Sequence, residues 1–337
     1  MVKKILALCD KEKNYLYHLA AYLEEKNRLP FVIHVFTDYS QLDRFLAANE
    51  VEILLIAESV FREEVLKHSI KQILILNESG MAVGEQLQNI NKYQSSENIF
   101  RRLMDGYMES AGELPQRLTG EGKMKIIGFY TPIGRCLQTT FALSMGQLLA
   151  GKSRVLYMDM DSCSGLSQLL YQEQESDITD VLYFFSCEKE KLSYRLSGIV
   201  QNINGMDYIP SSQSLEDIHS VSKEQWLQLL EEIGRTTEYE YLILDLTEQI
   251  DGLLEILKTC FRIFTIIRQD EHSLARIKRY EALLQTGGYE EIAIKTSRQK
   301  LPLFHRVFLD PRQLLQGEVA AYVRRVIEEE VEKDDEK

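Results

Sequence analysis

The sequence predicts an α/β protein made of two doubly wound units, each built on a parallel sheet with helices on both faces. Three observations predict it. Short apolar runs alternate with stretches whose apolar residues recur at helical spacing, along most of the 337 residues. The stretch KIIGFYTPIGRCLQTTFALSMGQLL, from Lys125 to Leu149, reads as strand, turn and helix, with Pro132 and Gly134 in the turn. Between the two units, ESAGELPQRLTGEGK (Glu109 to Lys123) is polar, Gly-rich and without periodicity, which predicts a linker. The expected boundaries are 1–110, a linker at 111–122, a second unit at 123–326 and an acidic tail at 327–337.

In the first unit, apolar runs at Ile5 to Leu8, Phe31 to Phe36, Ile53 to Ala57 and Ile73 to Leu76 predict strands. Helical spacing falls around Tyr15 to Leu23, Leu42 to Ala47, Phe61 to Leu66 and Ile99 to Tyr107. In order and size this unit resembles a response-regulator receiver domain of the flavodoxin-like type, which binds ligands at the carboxyl ends of its strands. The resemblance places Asp10 in the acidic pair after the first strand, Glu58 where the phosphate-accepting aspartate stands, Ser79 near the hydroxyl position and Lys92 at the lysine position. With glutamate at the acceptor place, the unit is expected to be an interaction domain that takes no phosphate.

In the second unit, strands are expected at Ile126 to Tyr130, Val155 to Met158, Tyr241 to Leu244, Arg262 to Ile267 and Ile292 to Thr296. Ser162 to Ser176 has little regular apolar spacing and predicts a loop, followed by a helix over Ile178 to Phe185. Asn204-Gly205 between Ile203 and Met206 predicts a hairpin. Ser222 and Gln225 form a capping box for a helix from Lys223 to Thr236, whose inward stripe is Trp226, Leu229, Leu230 and Ile233. Further helices are expected at His272 to Gln285 and Glu318 to Val331.

The loop after the first of these strands resembles the deviant phosphate loop of the MinD/ParA ATPase family, K-G-G-x-G-K-T-T preceded by S-P. Aligned without gaps, Thr131 and Pro132 take the S-P places and Ile133 stands at the first lysine. Gly134 matches the first glycine, while Arg135 and Leu137 replace the second and third. Gln138 replaces the main lysine, and Thr139 and Thr140 match the closing pair. Asp159 and Asp161 at the end of the next strand, and Asp245 after Tyr241 to Leu244, are similar to the family's D-x-D and Walker B acids. The resemblance implies a P-loop NTPase fold, with ATP and magnesium as cofactors only if nucleotide binding is retained; the metal would then sit on Thr139, Asp161 and Asp245. Phosphate is normally held by bare backbone and a cation, and here a neutral amide and two side chains take those places. Phosphoryl transfer is therefore not expected, and Arg135 is left to meet an anion or a partner's carboxylates.

Composition narrows the function further. At 45% hydrophobic and 27% charged residues the chain is of the globular class, and no apolar run reaches the length of a membrane span. A cytoplasmic location without direct membrane insertion is expected. Residues 121–259 carry 11 basic and 21 acidic side chains, whereas 260–326 carry 12 and 7. An acidic middle and an acidic end argue against nucleic acid as a partner. The ending VIEEEVEKDDEK would be repelled by an anionic lipid surface. The five cysteines show no C-x-x-C pairing and the six histidines no metal-ligand spacing, so no further metal site is expected.

A receiver-like unit ahead of a MinD/ParA-like unit with a degenerate loop resembles the TadZ/CpaE family, which places the tight-adherence (Flp) pilus machinery in the cell. That resemblance implies a localisation scaffold that forms a homodimer and docks on pilus or secretion assembly proteins. Two alternatives of other classes stand beside it: a slow but genuine ATP-binding ATPase, and an atypical response regulator with a ParA-like output unit.

Overall fold

A computed structural model of the chain describes residues 4–25, 31–79, 83–84, 87–94, 96, 98–100, 102–104, 124–170, 176–308 and 310–332. The chain divides into two compact units, Met1–Gln116 and Arg117–Lys337. The expected linker lies outside the described residues, as does the end of the helix expected over Ile99 to Tyr107.

In the first unit, strands β1 (Lys4–Cys9), β2 (Phe31–Phe36), β3 (Val51–Ala57), β4 (Ile70–Asn77) and β5 (Gln88–Asn91) form one parallel sheet in the order β2-β1-β3-β4-β5. This is the flavodoxin-like order, with the chain reversing direction across the sheet at β1 and β3. Helix α1 (Lys13–Glu25) buries Leu16, Leu19 and Leu23, a 3-4 spacing that puts all three on one side. Helix α2 (Tyr39–Ala48), capped by the Asp38 carboxylate accepting from the Gln41 amide, packs Leu42 and Leu46 against Ala7, Leu54, Ile56 and Ile75. Two expectations need correction. The segment expected as a helix at Phe61 to Leu66 is a short 3₁₀ turn, Glu63–Lys67, with only Val65 buried. β5 was not anticipated, because only Ile90 of its four residues is buried and its pairing rests on the backbone ladder.

The second unit holds a seven-stranded sheet. Its strands are β6 (Lys125–Phe129), β7 (Val155–Asp159), β8 (Gln201–Ile203), β9 (Met206–Ile209), β10 (Tyr241–Asp245), β11 (Arg262–Ile267) and β12 (Thr296–Lys300), in the order β12-β11-β6-β10-β7-β9-β8. All pairs are parallel except the β8–β9 hairpin. Asn204 and Gly205 join that hairpin with φ of 50° and 86°, the paired left-handed residues that a type I′ turn requires. Period-2 alternation divides the core: Leu156, Met158, Leu242 and Leu244 face Trp226, Leu229 and Ile233, while Tyr157, Ile243, Ile127 and Phe129 face Phe141 and Val323. The helix α3 (Gln138–Ala150) and the helix Glu318–Glu330 lie on the second face. The expected capping box closes the helix Lys223–Thr236.

Two further corrections arise here. The run expected as a strand at Ile292 to Thr296 is the helix Glu290–Lys295, which buries Ile292 and leaves Ile294 80% exposed; the strand follows it as the polar edge strand β12. The expected acidic tail from 327 overlaps the helix expected at Glu318 to Val331; the helix runs over Glu318–Glu330, and Ile327 within it and Val331 just after it pack into the core.

Candidate functional site

The loop Thr131–Leu137 leaves the carboxyl end of β6 and enters α3. It is tied down from the side of β11: the Thr131 hydroxyl donates to the Ile266 carbonyl at 2.8 Å, and the Arg276 Nε to the Pro132 carbonyl at 2.5 Å. Arg135 and Leu137 adopt φ of 56° and 68°; among the described residues Asn204 is the only other non-glycine at positive φ. In the motif the loop resembles, these are the places of the second and third of three glycines. This backbone conformation costs an L-residue about 1–2 kcal/mol. Gly134, the glycine that remains, is not at positive φ, and a Cβ there would meet nothing within 4 Å.

Ile133 is buried and packs in the cluster that holds Phe129 and Phe141. Gln138, at the main lysine position, turns inward: its Nε2 is 2.6 Å from Asp245 Oδ1, 3.0 Å from the Leu246 carbonyl and 3.3 Å from the Phe129 carbonyl. The other oxygen of Asp245 accepts from the Tyr157 hydroxyl at 2.9 Å. Asp245 and Asp159 are register partners on neighbouring strands, both buried. Burial raises the Asp159 carboxyl well above the usual range, reinforced by the Asp245 charge. Burial also raises Asp245, opposed by hydrogen bonds from Gln138, Thr139 and Tyr157. Asp159 Oδ2 has no hydrogen-bond partner among the described residues.

Thr139, Thr140 and Asp161 line an open cavity of ≈ 510 Å³ in front of the loop, with Gly134, Arg135 and Arg276. Asp161 Oδ1 accepts from the Cys163 amide at 2.9 Å. The three residues expected to hold magnesium are not equivalent: Thr139 and Asp161 face the cavity, whereas Asp245 is turned away from it with both oxygens hydrogen-bonded to the protein. A nucleotide with its metal thus finds room, but no lysine and no free Asp245 oxygen. The residues do not fit the group in the usual way.

In the first unit the strand ends bring Asp10, Glu58, Ser79 and Lys92 to one edge of the sheet, as two separate sets. Glu58 Oε1 accepts from the Ser79 hydroxyl at 2.7 Å, and its Oε2 accepts from the amides of Glu78 and Ser79 at 2.8 and 2.9 Å. The Ser79 hydroxyl and amide and the Glu78 amide hold the Glu58 carboxyl below the usual range. Lys92 pairs instead with Asp10, Glu12 and Glu78. Sequence reading missed Glu12 and Glu78, which lie next to expected positions but gain meaning only from the fold. It also missed Tyr157, whose hydroxyl is invisible in a strand of apolar character.

Fold and site together define a doubly wound α/β unit in which a strand, a lysine-free loop and a helix border an open cavity. No family model matches the sequence, and no curated protein matches it. Among solved structures the chain is similar to a plasmid partition protein from Borrelia burgdorferi, at 15% identity over 63% of this chain and 100% of that one, TM-score 0.45. It is similar also to a ParA family ATPase from Chlorobium tepidum TLS, at 19% identity over 60% and 93%, TM-score 0.44. A third likeness is to the MinC:MinD cell division complex of Aquifex aeolicus, at 19% identity over 52% and 67%, TM-score 0.39. No helix among the described residues is long and apolar enough to cross a membrane.

Proposed function

We propose that this chain is a localisation scaffold of a tight-adherence pilus or related secretion machinery, in which a MinD/ParA-like unit has become a protein-binding body that does not turn over ATP. The observation that carries the loss of turnover is the inward hydrogen bonding of Gln138 to Asp245, with Ile133 buried beside it. A loop that uses its key side chain to hold its own strand together has none left for a triphosphate. The pilus assignment is supported by the order of units, a receiver-like sheet followed by a degenerate P-loop-like one. Self-association as a homodimer belongs to the same reading and rests on side-chain packing instead of shared nucleotide.

Titration with a fluorescent ATP analogue and magnesium tests the site. The wild-type chain is expected to bind in the millimolar range or not at all, while the triple variant Arg135→Gly, Leu137→Gly, Gln138→Lys gains binding. Micromolar binding and turnover by the wild type would overturn the reading. Co-purification from the native cell tests the partner: pilus assembly proteins are expected, and their absence from a tagged, functional chain counts against the assignment.

Two observations favour a second reading, a slow ATP-binding protein. The cavity and the left-handed backbone at Arg135 and Leu137 have been kept. The same titration separates the two.

A further inference from the structure

A fully buried lysine is costly unless its ammonium is paired on every side. Lys92, following β5, is 0% exposed. Its Nζ lies 2.9 Å from Asp10 Oδ2, 2.9 Å from Glu12 Oε1 and 2.8 Å from Glu78 Oε1, so each of its three protons faces one carboxylate. The acids arrive from the ends of β1 and β4. One oxygen from each lies within 4.8 Å of the others, the crowding seen when several carboxylates share one cation. The ring of Tyr15 stands 5.0 Å from the ammonium, and the Tyr15 hydroxyl donates to the Lys92 main-chain carbonyl at 3.0 Å, so Tyr15 meets both the side chain and the backbone of Lys92. Glu58 takes no part, because its oxygens are occupied by Ser79 and two backbone amides.

We infer that Asp10, Glu12 and Glu78 form a cation site that the chain fills with its own Lys92, fixing three loops of the first unit in one arrangement without metal or phosphate. A tethered ammonium is present at an effective concentration that a free ion at cellular levels does not match. The unit is therefore set permanently, and whatever docks on its strand-end face meets one unvarying surface. Glu12, whose side chain is 58% exposed, is the side from which a hydrated ion would enter if the lysine were gone. This inference is independent of the nucleotide site in the other unit.

The test uses the full chain as wild type, Lys92→Met and Lys92→Met with Glu12→Gln. Terbium is the probe, because Tyr15 beside the site sensitises its emission; magnesium and calcium serve in thermal melts. The wild type is expected to show no saturable tyrosine-sensitised emission and a melting curve indifferent to magnesium or EDTA. Lys92→Met is expected to gain one saturable site, at least ~10-fold tighter than any wild-type binding, and to melt higher with either divalent ion. Adding Glu12→Gln should remove that gain. Equal terbium binding by wild type and Lys92→Met, or a wild-type melt that shifts with magnesium, would overturn the inference. So would a folded Lys92→Met that gains nothing. If Lys92→Met does not fold in EDTA, refolding on addition of calcium or magnesium supports the inference, and failure to refold with either refutes it.

Discussion

Replacing Gln138 with leucine removes the hydrogen bonds that join α3 to the ends of β6 and β10. Three acceptors surround Nε2, but they are not equally dependent on it. The Phe129 carbonyl also receives the Leu246 amide at 2.9 Å and stays satisfied. Asp245 Oδ1 and the Leu246 carbonyl lose a close donor. One bond to an acid and one to a carbonyl amount to about 2–4 kcal/mol. For a unit of this size that corresponds to a fall of about 5–15 °C in melting temperature. Trp226, the sole tryptophan, is fully buried in the second unit, so its fluorescence on heating follows that unit alone. Gln138→Lys supplies the control: an ammonium has three protons for the three acceptors and brings a cation to Asp245, so it should melt no lower than wild type. A Gln138→Leu melt within about 1 °C of wild type would show that the amide network contributes nothing, and the account of the loop would fail with it.

Other outcomes follow from the same geometry. Because Asp159 and Asp245 have raised folded-state pKa values, the stability they contribute is full below the ordinary carboxylate range and is lost as pH rises through the folded values. Asp159→Asn should flatten that decline, as read by Trp226 melts across pH. For Glu58 the sign is reversed: its lowered pKa gives a contribution present above the ordinary carboxylate range and lost as pH falls through the folded value. Ser79→Ala should move the Glu58 carboxyl upward in an NMR titration. Gly134→Ala should change stability by no more than about 0.5 kcal/mol in urea unfolding, since neither φ nor space demands glycine there. Gly252→Ala should be destabilising by well over that amount, because Gly252 has φ of 70° and a Cβ would fall 2.1 Å from that of Lys223.

Much of this molecule was legible because its signals are local. Apolar runs marked the central strands, Asn204-Gly205 marked the hairpin, and Ser222 with Gln225 marked a helix start. β5 and β12 were hidden because strands with little buried apolar surface are held by backbone pairing, which leaves no mark on hydropathy. At the loop the motif pointed to the right positions with the wrong emphasis. Gly134 looked like the retained element, yet the conformation that glycine serves persists at Arg135 and Leu137, which are not glycine. Gln138 was read as a neutral donor toward phosphate, whereas its partners are Asp245 and two carbonyls that only the folded sheet brings within reach. Glu12, Glu78 and Tyr157 belong to the same category, since their partners lie 80, 14 and 88 residues away.

The burial of Ile133 leaves no room for a charge at that place in the loop. Ile133→Lys would drive an ammonium into packing shared with Phe129 and Phe141, at a cost of several kcal/mol. The loop would have to swing residue 133 outward before a charge there became tolerable. Ordinary hydrophobic packing thus decides which side chains this turn can offer to anything that enters the cavity.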